Sequence, residues 1–95
     1  MTNIVLHTDD GMNVHFECSN HSESQVVCSS VSALANVLLV AGNIAGHAPM
    51  VYDKEAGKIV LNIPKASAKT LRVVQCVEEC FIQLAEQYPE YIRVY

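Results

Sequence analysis

Cys28 and His21 are the two residues of this chain whose types and spacing can carry covalent chemistry. A cysteine sulfur attacks as the thiolate, and an imidazole holds and returns a proton near neutral pH. His21 precedes Cys28 by seven positions (28 − 21), in the polar run Ser19-Asn20-His21-Ser22-Glu23-Ser24-Gln25. A loop there that folds back onto the following helix brings the imidazole to the sulfur. Cys28 falls in the first turn of that helix, where unpaired amides and the helix dipole favour an anion. Ser29 and Ser30 follow directly, and Ser32 lies one turn on, facing the same way as Cys28. Backbone amides across Cys28–Ser30 are candidates for an oxyanion hole. Cys28 also fits the apolar stripe of positions 28, 31, 35 and 38, as a packed thiol would.

The elements that position this pair follow from hydrophobic periodicity. Ile4-Val5-Leu6-His7 and Val14-His15-Phe16-Glu17-Cys18 read as strands of a hairpin. A two-residue Asp10-Gly11 loop pairs Leu6 with His15. A three-residue Asp9-Asp10-Gly11 loop pairs Leu6 with Val14 and Ile4 with Phe16, and puts Gly11 at a left-handed bulge position; it is preferred. A helix starts at Val26, with Val27, Val31, Leu34, Ala35 and Leu38 recurring at three and four, and Gly42-Asn43 as its stop. Pro49-Met50-Val51-Tyr52 and Lys58–Ile63 are strands joined by a turn. Ser67 caps a second helix that runs to about Tyr88, with Leu71, Val74, Val77, Phe81 and Leu84 on one stripe. The C-terminal Tyr91–Tyr95 pairs as an edge strand or docks. The expected fold is α+β: a single two-layer β-β-α-β-β-α domain over residues 1–95, an antiparallel sheet with both helices on one face. On the sheet's other face, Val5, Val60, Tyr52 and His15 form an apolar surface suited to a homodimer.

Composition narrows the function classes. Ninety-five residues allow one domain and one core. A 51% apolar share with 17% charged residues excludes a disordered chain. The formal net charge of −4 argues against binding a nucleic-acid backbone. No apolar run approaches the roughly 20 residues of a membrane span, so no membrane partner is expected. The start, Met1-Thr2-Asn3, lacks the features of an export signal, so the four cysteines are expected to stay reduced in the cytoplasm. Cys18, Cys76 and Cys80 read as core filler, and His7 and His15 as surface residues beside Glu17. Cys18, His21 and Cys28 invite a zinc reading, but the strand directs Cys18 inward, and no metal or cofactor is expected.

The string around Cys28 adds more. Val26-Val27-Cys28-Ser29-Ser30-Val31-Ser32-Ala33-Leu34 resembles the signature of the Prp-type cysteine proteases, Asp-Ile-Val-Cys-Ala-Ala-Val-Ser-Ala-Leu. Asp10-Gly11 matches a turn in the family's first hairpin. The end, Leu84-Ala85-Glu86-Gln87-Tyr88-Pro89-Glu90-Tyr91, is similar to the family's Leu-Ala-x-x-Tyr-Pro-x-Tyr. The resemblance spans nearly the whole chain. It implies a small cytoplasmic bacterial protease, homodimeric and α+β. Such a protease removes the N-terminal extension of a large-subunit ribosomal protein, number twenty-seven in the bacterial series. It assigns the nucleophile to Cys28, the histidine to His21 and the helix serine to Ser32.

The chain departs from the family at the same place. Gly-His-Ala is replaced by Asn20-His21-Ser22, the glycine-rich loop is contracted, and Gln25 stands where the family has an aspartate. These changes sustain a second expectation, a catalytically impaired homologue that binds a peptide or ribosomal protein. Gly46-His47-Ala48 spells the family tripeptide after the helix, a position that does not fit, so it is read as coincidence, with His47 otherwise an alternative base. Glu78, Glu79, Glu86 and Glu90 line the solvated side of the second helix, where they would steer a basic substrate.

Overall fold

A computed structural model describes residues 1–20, 23–44, 50–53 and 57–95. The strands form where apolar residues alternate. In β1 (Thr2–Thr8) and β2 (Val14–Ser19), Ile4, Leu6, Val14, Phe16 and Cys18 are all buried on one face. The two strands pair antiparallel with Ile4 opposite Cys18, Leu6 opposite Phe16 and Thr8 opposite Val14. This is two residues away from the three-residue-loop register expected above. Because the side-chain period is two, the inward faces are unchanged.

The reason lies in the turn. Residues 9–13 connect the strands, and the Asp9 carboxylate accepts hydrogen bonds from the Asn13 backbone N–H (2.9 Å) and from its side-chain amide. The left-handed residue is Met12 (φ 62°) rather than Gly11. Met12 is held there by its carbonyl, which accepts from the Ala66 N–H at 2.8 Å.

β3 (Met50–Asp53) and β4 (Lys58–Ile63) form the second hairpin, and β4 pairs antiparallel with β2. The C-terminal segment is a strand, β5 (Ile92–Val94), that pairs parallel with β1. The sheet order is β3-β4-β2-β1-β5, so the otherwise antiparallel sheet of the expected two-layer fold is mixed at one edge.

Two 20-residue helices cover the inward face. Helix α1 (Gln25–Ile44) buries Val27, Val31, Ala35, Leu38 and Gly42. It runs through the expected stop at Gly42-Asn43, because Gly42 sits in its buried stripe. Helix α2 (Ala68–Gln87) buries Thr70, Val74, Val77 and Phe81. Ser67 caps it by accepting the Thr70 N–H at 3.2 Å. The Phe16 and Phe81 rings stack 5.7 Å apart where β2 meets α2.

Two expectations need correction. The outer sheet face is polar at its centre: Glu17 pairs with Lys58 (3.0 Å) and His15 (3.4 Å), and His15 shares a 2.6 Å hydrogen bond with Asn62. The Lys58 hydrogen bond holds the Glu17 carboxyl below its ordinary value. In the β3–β4 register Val51 lies opposite Val60 and Tyr52 opposite Ile59. The large exposed apolar residues gather instead on α1, at Val26, Val37, Val40 and Ile44. Helix α1 carries no Asp, Glu, Lys or Arg, and its mean hydropathy of 1.7 makes it long and apolar enough, by length and composition, to cross a membrane. The expectation that no run approached that length counted unbroken apolar runs, whereas the Val, Leu, Ile and Ala of α1 keep its mean hydropathy high across the Ser and Asn between them. Its buried stripe packs on the sheet as a core helix does.

Candidate active site

The site forms where the sheet hands the chain to α1. β2 ends at Ser19, and Asn20 turns into the left-handed region (φ 66°). Asn20 is pinned from two sides. Its N–H donates to the Gly57 carbonyl at 3.1 Å, and its carbonyl accepts from the buried Thr2 hydroxyl at 3.3 Å. Gly57 itself has φ 59°, with nothing within 4 Å of where a Cβ would stand. A glycine is therefore favoured there by backbone conformation rather than by crowding. The chain enters α1 at Ser24, whose side-chain oxygen accepts the Val27 N–H (3.3 Å) and whose carbonyl accepts the Cys28 N–H (3.0 Å). Ser24 is thus the helix cap, and Cys28 sits one turn inside it.

Cys28 is half-buried and lines a cleft with Thr2, Cys18, Asn20, Ser32 and Gly57. The cleft has about 60 Å³ of water-accessible space, enough for a few water molecules or one small group. The two thiols in it differ. Cys18 is buried on the inner face of β2, and burial pushes its thiol up to about 11, with a smaller push from Cys28 beside it. Cys18 is therefore protonated at neutral pH and unavailable as a nucleophile. Cys28 is half-buried, one turn inside the start of α1.

Of the expected site residues, the structure brings together Cys28 and Ser32. Ser29 and Gln25 are exposed, and neither lines the cleft. His21 and His47 both lie outside the described residues. The expected oxyanion hole across Cys28–Ser30 is not available: the Cys28 amide is committed to Ser24, and those of Ser29 and Ser30 fall inside α1. The amides without an intrahelical partner are those of Gln25 and Val26, one turn earlier.

Thr2, Asn20 and Gly57 were missed as neighbours of the site, and Cys18, grouped with Cys28 only in the zinc reading, was set aside as core filler. Asn20 was detectable as the residue next to His21, and Cys18 as the inward end of β2. Thr2 and Gly57 carry no signal without the strand order. Cys76 and Cys80 are exposed rather than core filler. Each precedes a buried residue of α2, Val77 and Phe81, by one position, and so is rotated about 100° away from the core. None of the four cysteines is disulfide-bonded.

The family model described as Cysteine protease Prp matches residues 1–93. No curated protein matches the chain. Among solved structures, the ribosomal processing protease Prp of S. aureus with a covalently linked product peptide shares the fold at a TM-score of 0.79, with 20% identity over 99% of this chain and 97% of that one. The same protease with a substrate peptide gives 0.71 at 18% identity, over 100% and 98%. The Streptococcus mutans protein SMU.848 gives 0.78 at 20% identity, over 99% and 91%. Identities this low speak for the fold, and the family model carries the assignment. A match that runs from the first strand through Arg93, on a fold that sets Cys28 in a cleft at the start of α1, leads to one conclusion: the chain belongs to the Prp family of cysteine proteases.

Proposed function

We propose that the chain is a cysteine endopeptidase that removes the N-terminal extension of a large-subunit ribosomal protein, the substrate implied by its family resemblance. Cys28 is the nucleophile and His21 the general acid and base. The thiolate attacks the scissile carbonyl carbon, forming the C–S bond and moving the carbonyl electron pair onto oxygen. The Gln25 and Val26 amides stabilise that oxyanion. As the tetrahedral species collapses, the C–N bond breaks and His21 delivers its proton to the leaving amine. Water, deprotonated by His21, then hydrolyses the thioester and regenerates the thiol. Ser32 lines the cleft one turn beyond Cys28 and supports the bound backbone. No cofactor or metal takes part.

One observation carries this reading: Cys28 lies half-buried at a helix start, in a cleft whose other thiol is held protonated. The exposed apolar row on α1 supports a homodimer, and the reduced thiols suit a cytoplasmic protein.

A second reading, a homologue that binds a peptide without cleaving it, is favoured by the chain's departures at the site: the contracted stretch from His21 to Cys28, and Gln25 where the family has an aspartate. Incubation with a peptide spanning the extension's cleavage site, under reducing conditions and beside His21→Ala, separates the two. Cleavage by the parent, lost in the variant, supports the protease; a peptide that binds and stays intact supports the second reading.

A further inference from the structure

Cys18 has no part in the peptidase chemistry, yet it stands in the same cleft as the nucleophile. It comes from the inward face of β2, one residue before the strand ends, and Cys28 comes from α1. The two thiols share about 60 Å³ of water-accessible space. They are near enough for Cys28 to add to the push on the Cys18 thiol. Nine residues, 19–27, connect them, so the loop that a bond between them closes is short and its entropic cost small. Cys76 and Cys80 are exposed on α2 and line no part of this cleft.

The pair is unequal in the way that reversible thiol oxidation uses. Peroxides attack thiolates that solvent can reach. Cys28 is half-buried, whereas Cys18 is 7% exposed. Cys28 is therefore oxidised first, and the buried, protonated Cys18 is kept intact as the second thiol. The cleft's volume also selects the oxidant. It admits a molecule little larger than water, which hydrogen peroxide is and a disulfide of glutathione is not.

We propose that Cys18 is a resolving thiol, which forms a reversible disulfide with Cys28 when a small hydroperoxide enters the cleft. The Cys28 thiolate attacks one peroxide oxygen. The S–O bond forms, the O–O bond breaks and hydroxide leaves, giving a sulfenic acid at Cys28. The Cys18 sulfur then attacks the Cys28 sulfur. The S–S bond forms, the S–O bond breaks, and the departing hydroxide takes the Cys18 proton to become water. The two sulfurs together lose two electrons, and the peroxide gains them. A thiol too protonated to attack a carbonyl suffices here, because the leaving hydroxide accepts its proton. Resting on the protease reading above, the bond switches the nucleophile off, and a dithiol reductant restores it by exchange. Without Cys18, the sulfenic acid goes on to a sulfinic acid, which dithiols do not reverse.

The test uses the whole chain carrying Cys76→Ser with Cys80→Ser, with and without Cys18→Ala, treated with a few equivalents of hydrogen peroxide. Each sample is compared with its own untreated control by intact mass, by unreduced peptide mapping and by peptide cleavage. A glutamate-specific protease cutting after Glu23 separates Cys18 from Cys28, so a bond between them shows as a linked pair. With Cys18 present, the chain loses two hydrogens, the linked pair appears, and cleavage is lost and then regained with dithiothreitol. In Cys18→Ala, Cys28 gains two oxygens and cleavage is not regained. A Cys28 that gains two oxygens with Cys18 present and forms no linked pair overturns the proposal, by showing the two Cα atoms held beyond the roughly 7 Å that a disulfide spans. So does a Cys28 that peroxide leaves unchanged.

The two readings fail separately, because the linked pair is read without a substrate. A linked pair in a protein that cleaves nothing sinks the protease and keeps the resolving thiol. Cleavage by a protein that forms no linked pair does the reverse.

Discussion

Helices α1 and α2 are matched in length and in the way they start. Each has 20 residues, each is capped by a serine, and each lays a buried stripe on the same sheet face. They differ in what surrounds their ends and in what they show to solvent. The start of α1 is met by the inward end of β2 and the turn at Asn20, and a cysteine is one turn in. The start of α2 is tied to the β1–β2 turn through Ala66 and Met12, with no cysteine in its first two turns. A capped helix start is therefore common property of this fold, and what makes one of them a site is the cleft that the sheet builds beside it. Outside, α1 is apolar and uncharged, whereas α2 is charged and keeps two exposed thiols.

The comparison can be pressed hardest in the core. Phe81→Ala removes a fully buried ring and its stack on Phe16, and is expected to cost about 3–5 kcal/mol. Leu38→Ala, the fully buried counterpart on α1, is expected to cost about 2–5 kcal/mol, toward the lower end because no ring stack is lost. Urea unfolding of both variants measures the difference, and equal losses would show the helices to be held alike.

Cys18 gives the next effect. Its thiol is raised from 9.0 to about 11 in the folded chain, so the unfolded chain loses its proton first as pH rises. Its contribution is present in full below pH 9 and is lost between pH 9 and 11, by about 2–3 kcal/mol. The parent's stability should fall across that window more steeply than that of Cys18→Ala. Parallel curves would mean that the thiol is not desolvated.

Caps come lower. Ser24→Ala and Ser67→Ala should each cost about 1 kcal/mol. Only Ser24→Ala should also lower the cleavage rate, since Ser24 sets the helix turn that carries Cys28. An equal rate in both variants would detach the cap from the site. Smallest in folding terms is the outer row of α1. If the proposed homodimer forms through this row, Val37→Glu with Val40→Glu should shift sedimentation from dimer to monomer, lowering the melting temperature only by the stabilisation that association supplies. A shift that appears instead with substitutions on the outer sheet face would relocate the interface.

The fold was legible where side chains repeat. Ile4, Leu6, Phe16, Val31, Leu38, Val77 and Phe81 marked strands and helices by period, and Ser67 marked the start of α2. Registers were harder to read, because the β1–β2 turn is built by the Asp9 side chain and held by a distant segment at Ala66, neither of which glycine placement reveals. Parallel pairing of β5 depends on the path of α2, beyond the reach of local pattern.

In the site, Cys28 stood out through its place at a helix start and the string around it. Ser29 was adjacent in sequence yet turns away from the cleft, because successive helix residues rotate by about 100°, and Gln25, one turn before Cys28, is exposed at the first position of α1. Cys76 and Cys80 misled for the same reason, one residue off the buried stripe. Thr2 and Gly57 reach the cleft only through strand order.

The central claim is that Cys28, alone among four reduced thiols, does the chemistry. Its most direct test is cleavage of a peptide spanning the ribosomal-protein extension under reducing conditions, followed by mass spectrometry, for the parent chain, Cys28→Ala and Cys76→Ser with Cys80→Ser. The account predicts one cut bond for the parent and for the double serine variant, and none for Cys28→Ala. Cleavage that survives in Cys28→Ala, or a parent chain that leaves the peptide whole, would contradict it.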